Sequence, residues 1–179
     1  MHEETLSKLE WGLKCTFHRY VECFVLNLIM NIRLAHTSDI ETILRLMPIY
    51  YEFDHLEFGE TKARNALQEF LSNSTLGRFW LLESEENKEA IGYIAVTFGF
   101  SFEYGGKVAL VDELFVLESY RGKGFGSQAI QYAQQECKKL GFRAMRLEVT
   151  KSNQDVIRLY EKLGFNDLGR SLLTYHLDE

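Results

Sequence analysis

The sequence predicts a mixed α/β domain, and three observations predict it. Helical periodicity comes first, then strands, then a β-α-β-α-β run. A glycine-rich stretch, Arg121 to Gly126, sits where a strand passes into a helix. Finally, 179 residues with 46% hydrophobic and 26% charged side chains suit one globular domain with a substantial core.

Residues 1–29 stand apart. Trp11, Phe17, Tyr20 and Phe24 recur at near-helical intervals, but Cys, Asn and charged residues interrupt every face. The segment is either an added helix or an upstream extension, and the domain is placed at 30–179. Asn31 to Ala35 reads as a short strand. Ser38-Asp39-Ile40-Glu41 has the capping-box form and opens a helix with Ile40, Ile43, Leu44 and Met47 on one side. Pro48 is expected to kink or end it. Ala63, Ala66, Leu67, Phe70 and Leu71 mark a second amphipathic helix.

Phe79 to Leu82, Ala90 to Phe98 and Lys107 to Leu117 read as strands, the first two joined by an acidic turn from Glu83 to Glu89. After the glycine loop, Ala129, Ile130, Ala133, Cys137 and Leu140 form a helical stripe. Gly141 suits its C-terminal cap, with Lys138 and Lys139 placed against the helix dipole. Met145, Leu147 and Val149 alternate as a strand. Ser152 to Asp155 is a second capping box, for a helix carrying Val156, Leu159, Tyr160 and Leu163 and closed by Gly164. Phe165 to Leu177 is expected to be a final strand or hairpin.

Composition excludes several classes. Twenty Lys and Arg against 26 Asp and Glu give a formal charge of −6, which disfavours nucleic acid or an anionic membrane as the main partner and favours a cation. Cys15, Cys23 and Cys137 form no C-x-x-C pair, and the five histidines show no metal-binding spacing, so no metal is expected. The apolar run Phe24 to Met30 is far shorter than the roughly 20 residues of a membrane span. Its flank carries Glu3, Glu4, Glu10 and Glu22, unlike the basic start of a signal peptide, so the cytoplasm is the expected compartment.

The sharpest feature is the strand–loop–helix Val111-Asp112-Glu113-Leu114-Phe115-Val116-Leu117, then Arg121 to Ser127. Glycines 122, 124 and 126 let backbone amides converge, and the following helix adds its positive end, so the unit suits a phosphate or pyrophosphate. Arg121 and Lys123 add charge. The spacing fits neither a dinucleotide fingerprint nor a P-loop. The bland alternative is a glycine turn that merely packs strand against helix. A mononucleotide-binding protein is a weaker one.

Arg121-Gly122-Lys123-Gly124-Phe125-Gly126 resembles the R/Q-x-x-G-x-G/A signature of the GNAT superfamily of N-acetyltransferases. Asn31 to Ile40 is similar to that family's first strand and helix start. Asn153, Tyr160 and the run Tyr160-Glu161-Lys162-Leu163-Gly164-Phe165 are similar to its late helix and ending. The resemblance covers residues 31–177 and implies a central mixed sheet, splayed at the cofactor strand and flanked by helices. It implies acetyl-CoA as cosubstrate, with the pyrophosphate on amides from Arg121 to Ser127 (Gly122, Lys123, Gly124, Phe125 and Gly126 between them). The backbone of Phe115, Val116 and Leu117 would pair with the pantetheine arm. Asn153 either bonds the cofactor's amides or merely begins its helix.

The resemblance also implies acetyl transfer to a primary amine by direct attack. An amine of pKa about 10.4 is neutral in only about one molecule in 2,500 at pH 7, a deficit of roughly 4.6 kcal/mol, so a carboxylate must take the proton. Asp112 and Glu113 are the candidates. As neighbours on a strand they are expected on opposite faces, with only one in a given cleft. Tyr160 would protonate the departing thiolate or hydrogen-bond its sulfur, and otherwise is a core aromatic. Val111 to Val116 most resembles the L-E-D-F-F-V of the spermidine/spermine (diamine) acetyltransferases, and the aromatic strand Tyr93 to Phe102 is similar too. That implies a small cationic acceptor such as a polyamine or an amino-acid-like amine. Glu52, Asp54 and Glu57, amid Tyr50, Tyr51, Phe53 and Phe58, are candidates for holding its ammonium. The rivals are a protein N-terminal or lysine acetyltransferase and a non-catalytic acetyl-CoA sensor. Members of that family are often dimers, so a homodimer stays open.

Overall fold

The computed structural model describes residues 30–177. Its strands are β1 (Met30–Leu34), β2 (Gly77–Ser84), β3 (Ala90–Ser101), β4 (Gly106–Val116) and β5 (Ala144–Leu147). Its α-helices are α1 (Ile40–Phe53), α2 (Glu60–Ser72), α3 (Phe125–Lys139) and α4 (Gln154–Lys162). The strands form one sheet in the order β1-β2-β3-β4-β5, antiparallel except for the parallel pair β4–β5. The predicted mixed sheet flanked by helices is the fold observed.

Strand alternation divides the core into two layers. Leu81 and Tyr93 point to one face and meet Ile43, Leu44 and Leu67 of α1 and α2. Leu82 and Ile94 point to the other and meet Ala129, Ile130 and Ala133 of α3. The helix stripes read from the sequence are the faces that bury: Ile40, Ile43, Leu44 and Met47 in α1, and Ala63 and Leu67 in α2.

Three expectations change. Pro48 does not end helix α1, which continues through it to Phe53. The ring withdraws one backbone donor, but Ile43, Leu44, Leu46 and Met47 around it are all buried, and their packing holds the helix. The anticipated box at Ser38 is replaced by a 3-10 turn, Thr37–Asp39. The Asp39 carboxylate accepts from the His36 amide at 2.8 Å and from both Arg33 terminal nitrogens, at 2.9 and 2.8 Å. Phe165 to Leu177 forms neither strand nor hairpin among the described residues. Its apolar residues have no partner strand there, and Leu172, Leu173 and Tyr175 lie exposed. Val149, expected in the fifth strand, also falls outside β5, which ends at Leu147. The readings of residues 1–29 lie outside the described residues.

Arg33 knits β1 to both neighbours, because its Nε donates to Glu83 of β2 at 2.6 Å while its terminal nitrogens hold Asp39. The guanidinium beside Asp39 holds that carboxyl below the usual carboxylate range. A depressed folded pKa contributes stability above the unfolded value, near 3.9, and loses it as pH falls through the folded one. Asp39→Asn should therefore lower the melting temperature at pH 7 and make less difference at pH 3, read by circular dichroism. Ile94→Ala, at a fully buried position, should cost about 2–5 kcal/mol in urea unfolding.

Candidate active site

The site is set by where β4 loses its partners. Parallel pairing with β5 runs from Val108↔Ala144 to Val111↔Leu147 and stops there. Pairing with β3 continues to Gly92↔Val116. Beyond Val111, β4 therefore has a neighbour on one side, and a slot opens on the other. The Leu117 amide donates to the Ile91 carbonyl at 2.8 Å, so alternation turns the backbone of Phe115 towards β3 and that of Val116 towards the slot. Of the three residues expected to offer backbone to the pantetheine arm, Val116 is the one facing the opening. Arg121 Nε donates to its carbonyl oxygen at 2.8 Å, and the guanidinium lies 4.2 Å from the centre of the Phe53 ring.

A second irregularity sits at the same place. Ala95 pairs with Glu113 but Val96 with Val111, so Asp112 is an extra residue, a β-bulge. The bulge resets the alternation, and Asp112 and Glu113 both line one pocket. The expectation of opposite faces is corrected by this single unpaired residue. Glu113 is anchored from two directions. Its Oε2 accepts from the Tyr93 hydroxyl at 2.8 Å and its Oε1 from the Tyr51 hydroxyl at 3.0 Å. Burial raises the Glu113 pKa, the two phenols oppose that rise, and the neighbouring Asp112 and Asp54 charges add to it. Asp112 has no side-chain partner among the described residues. It reaches the pocket opening, yet the protein around it desolvates the carboxylate and raises its pKa too.

The pocket is a cavity of about 260 Å³ between α1, α2 and the sheet, with Tyr51, Phe58, Ala63, Phe70 and Phe79 among its walls. Glu57 lines it. Glu52 and Asp54, proposed beside it from sequence, are exposed at the end of α1, which runs five residues beyond Pro48, and are not among its lining residues. No residue pattern marks Tyr51 and Tyr93 as a pair. They stand 62 and 20 residues from Glu113, and their aromatic neighbourhood was the available signal.

On the α3 face, Gly122 and Gly124 adopt φ of 73° and 83°, left-handed conformations that side chains strain to reach. A Cβ at Gly122 would meet nothing within 4 Å, so the space over the loop is open. Among the described residues, no acceptor takes the amides of Gly122, Lys123, Gly124, Phe125, Gly126 or Ser127. They converge at the N-terminus of α3, a setting suited to an anion. Lys123 Nζ is folded back onto the Ser119 carbonyl at 2.9 Å. Asn153 begins α4, its Oδ1 accepting from the Val156 amide at 3.3 Å. Tyr160 is half-buried, packed against Phe165 and the α3-side core, and burial raises its pKa. The carboxylate pair and Tyr160 thus flank the sheet on opposite faces.

A family model for the acetyltransferase (GNAT) family matches residues 41–165. This chain belongs to the GNAT family. The N-acetyltransferase YhfO of Bacillus subtilis is 30% identical over 77% of this chain and 91% of its own length. Thialysine N-epsilon-acetyltransferase of Mus musculus is 29% identical over 79% of this chain and 86% of its own. Among solved structures, the integron cassette protein HFX_CASS3 from a salt-marsh metagenome is 37% identical, with a TM-score of 0.73 over 83% of this chain and 91% of its own. The chain is thus an N-acetyltransferase of the GNAT family, with acetyl-CoA as cosubstrate and an amine as acceptor. The open glycine loop with its free amides fits a pyrophosphate, and the slot beside Val116 fits an extended arm. No described helix is long and apolar enough to cross a membrane.

Gly124→Val should weaken acetyl-CoA binding at least tenfold by calorimetry, since a β-branched residue resists φ of 83°. The Glu113 pair gives a stability test. A raised folded pKa means stability that is full below the unfolded pKa and lost as pH rises through the folded one. The melting temperature of Glu113→Gln minus that of the parent should therefore grow from pH 4 to pH 7.

Proposed function

We propose that this chain acetylates a small cationic primary amine by direct attack on acetyl-CoA, through the domain at 30–179. Asp112 and Glu113 receive the ammonium on one face of the sheet, and Tyr160 serves the leaving sulfur from the other. The observation that carries this reading is the bulge, which brings two desolvated carboxylates to one pocket where β4 parts from β5.

The two acids divide the work. Both oxygens of Glu113 already accept from phenols, so it is a fixed anion that attracts and orients the ammonium. Asp112, without a side-chain partner among the described residues, takes the proton. Its raised pKa narrows the gap to the amine and makes it a better base than a fully hydrated aspartate. The freed nitrogen lone pair bonds to the thioester carbonyl carbon, the carbon–sulfur bond breaks, and the nitrogen sheds its second proton to solvent, from which a Tyr160 that has given up its own proton regains one. Sulfur leaves as thiolate and receives the Tyr160 proton or a hydrogen bond from it. Burial raises the pKa of that phenol, which favours its protonated, donating form. Val116 offers backbone to the pantetheine arm, and the amides from Gly122 to Ser127, with Arg121 and Lys123, meet the pyrophosphate.

The acceptor classes that the sequence implied, polyamines and amino-acid-like amines, share the cationic primary amine this pocket would hold. The similarity to a mouse enzyme named for acetylating the ε-amine of thialysine is consistent with that chemistry.

Thiol release from acetyl-CoA with a primary amine should be saturable. It should fall by about 10²–10⁴ in kcat/KM in Asp112→Asn. Tyr160→Phe should lower kcat with little change in KM. Saturable acetyl-CoA binding without thiol release from any amine would contradict the reading. Tyr93→Phe removes a donor that favours the ionised Glu113, so its acid limb in kcat/KM should move to higher pH.

A further inference from the structure

The walls of the acceptor pocket say what the rest of the acceptor is made of. The carboxylates occupy one part of the cavity, at Asp112 and Glu113. Most of the remaining lining is apolar, Met47, Leu67, Phe70 and Phe79 among it, with the Tyr51 and Thr97 hydroxyls as its neutral polar groups. Leu67 and Phe79 are buried, and they belong to the core that holds α1 and α2 on the sheet. The remaining charged lining residues are Glu57 and Lys62, both exposed and opposite in sign, so they offer a second cation no net attraction.

We propose that the acceptor is a primary amine on a single uncharged, apolar body, an alkyl- or arylalkylamine, rather than a polyamine. This rests on the acetyl-transfer reading above and narrows it. With its first ammonium at Asp112, a linear diamine would carry its second into the wall of Leu67, Phe70 and Phe79. That ammonium would lose its water without gaining an anion, and a phenyl face returns only part of the loss. An alkyl or aryl body instead gains from the same wall by leaving water. The cavity, about 260 Å³, suits a small molecule of this kind.

The test follows thiol release by the full chain with acetyl-CoA and three amines: butylamine, 1,4-diaminobutane and 2-phenylethylamine. The two monoamines should exceed the diamine by about tenfold or more in kcat/KM, the scale on which an apolar pocket discriminates. Ala66 lines the cavity from an exposed position of α2, so Ala66→Glu supplies the missing second anion without disturbing the core. That variant should shift the ratio at least tenfold towards the diamine, with acetyl-CoA affinity unchanged. A diamine equal to or better than butylamine in the parent overturns the inference and leaves acetyl transfer standing. An unchanged ratio in Ala66→Glu also overturns it. Thiol release with none of the three overturns both the inference and the reading beneath it.

Discussion

Strand β4 is held by β3 along its length but by β5 only as far as Val111, and the rest of the site depends on that mismatch. Were the parallel ladder to continue, the carbonyl of Val116 would be spent within the sheet and no slot would exist. Because it stops, one edge of β4 keeps unsatisfied backbone polarity next to a loop whose own amides lack acceptors. Arg121 covers part of this by bonding the Val116 carbonyl while resting on Phe53.

The bulge at Asp112 is the second consequence of the same strand. It concentrates two carboxylates where an unbulged strand would separate them, and this opposes stability. Burial raises the proton affinity of both, and the Asp112 charge adds to the rise at Glu113. Two phenol donors on Glu113 offset part of the cost, and Tyr93 is itself fully buried, against Phe79 and Phe115. The core on the α1–α2 face therefore has a double role. It supplies apolar burial and also carries the hydroxyls that keep a buried anion in place.

Much of this was legible in the residues. Gly122 and Gly124 marked the loop because only glycine takes positive φ there without strain, and Gly141 and Gly164 marked helix ends for the same reason. The stripes on α1, α2 and α3 announced the two core faces, since a 3.6-residue period survives any tertiary detail. The bulge was not legible. One extra residue in a strand leaves no compositional mark, and its existence depends on how β3 pairs. The Tyr51–Glu113–Tyr93 contact was hidden likewise, because it joins residues from separate elements. Pro48 misled through a local rule that tertiary burial overrode. Leu172 to Leu177 misled through an alternating pattern that acquires no partner among the described residues.

We propose that the edge of β4 released beyond Val111, together with the glycine loop, receives acetyl-CoA. Peptide-resolved hydrogen–deuterium exchange, with and without acetyl-CoA, tests it most directly. New protection is expected in peptides spanning 114–117 and 122–127, with little change in those covering 108–111, where the ladder with β5 is already closed. Protection confined to other segments, or none in 122–127 at saturating acetyl-CoA, would contradict it.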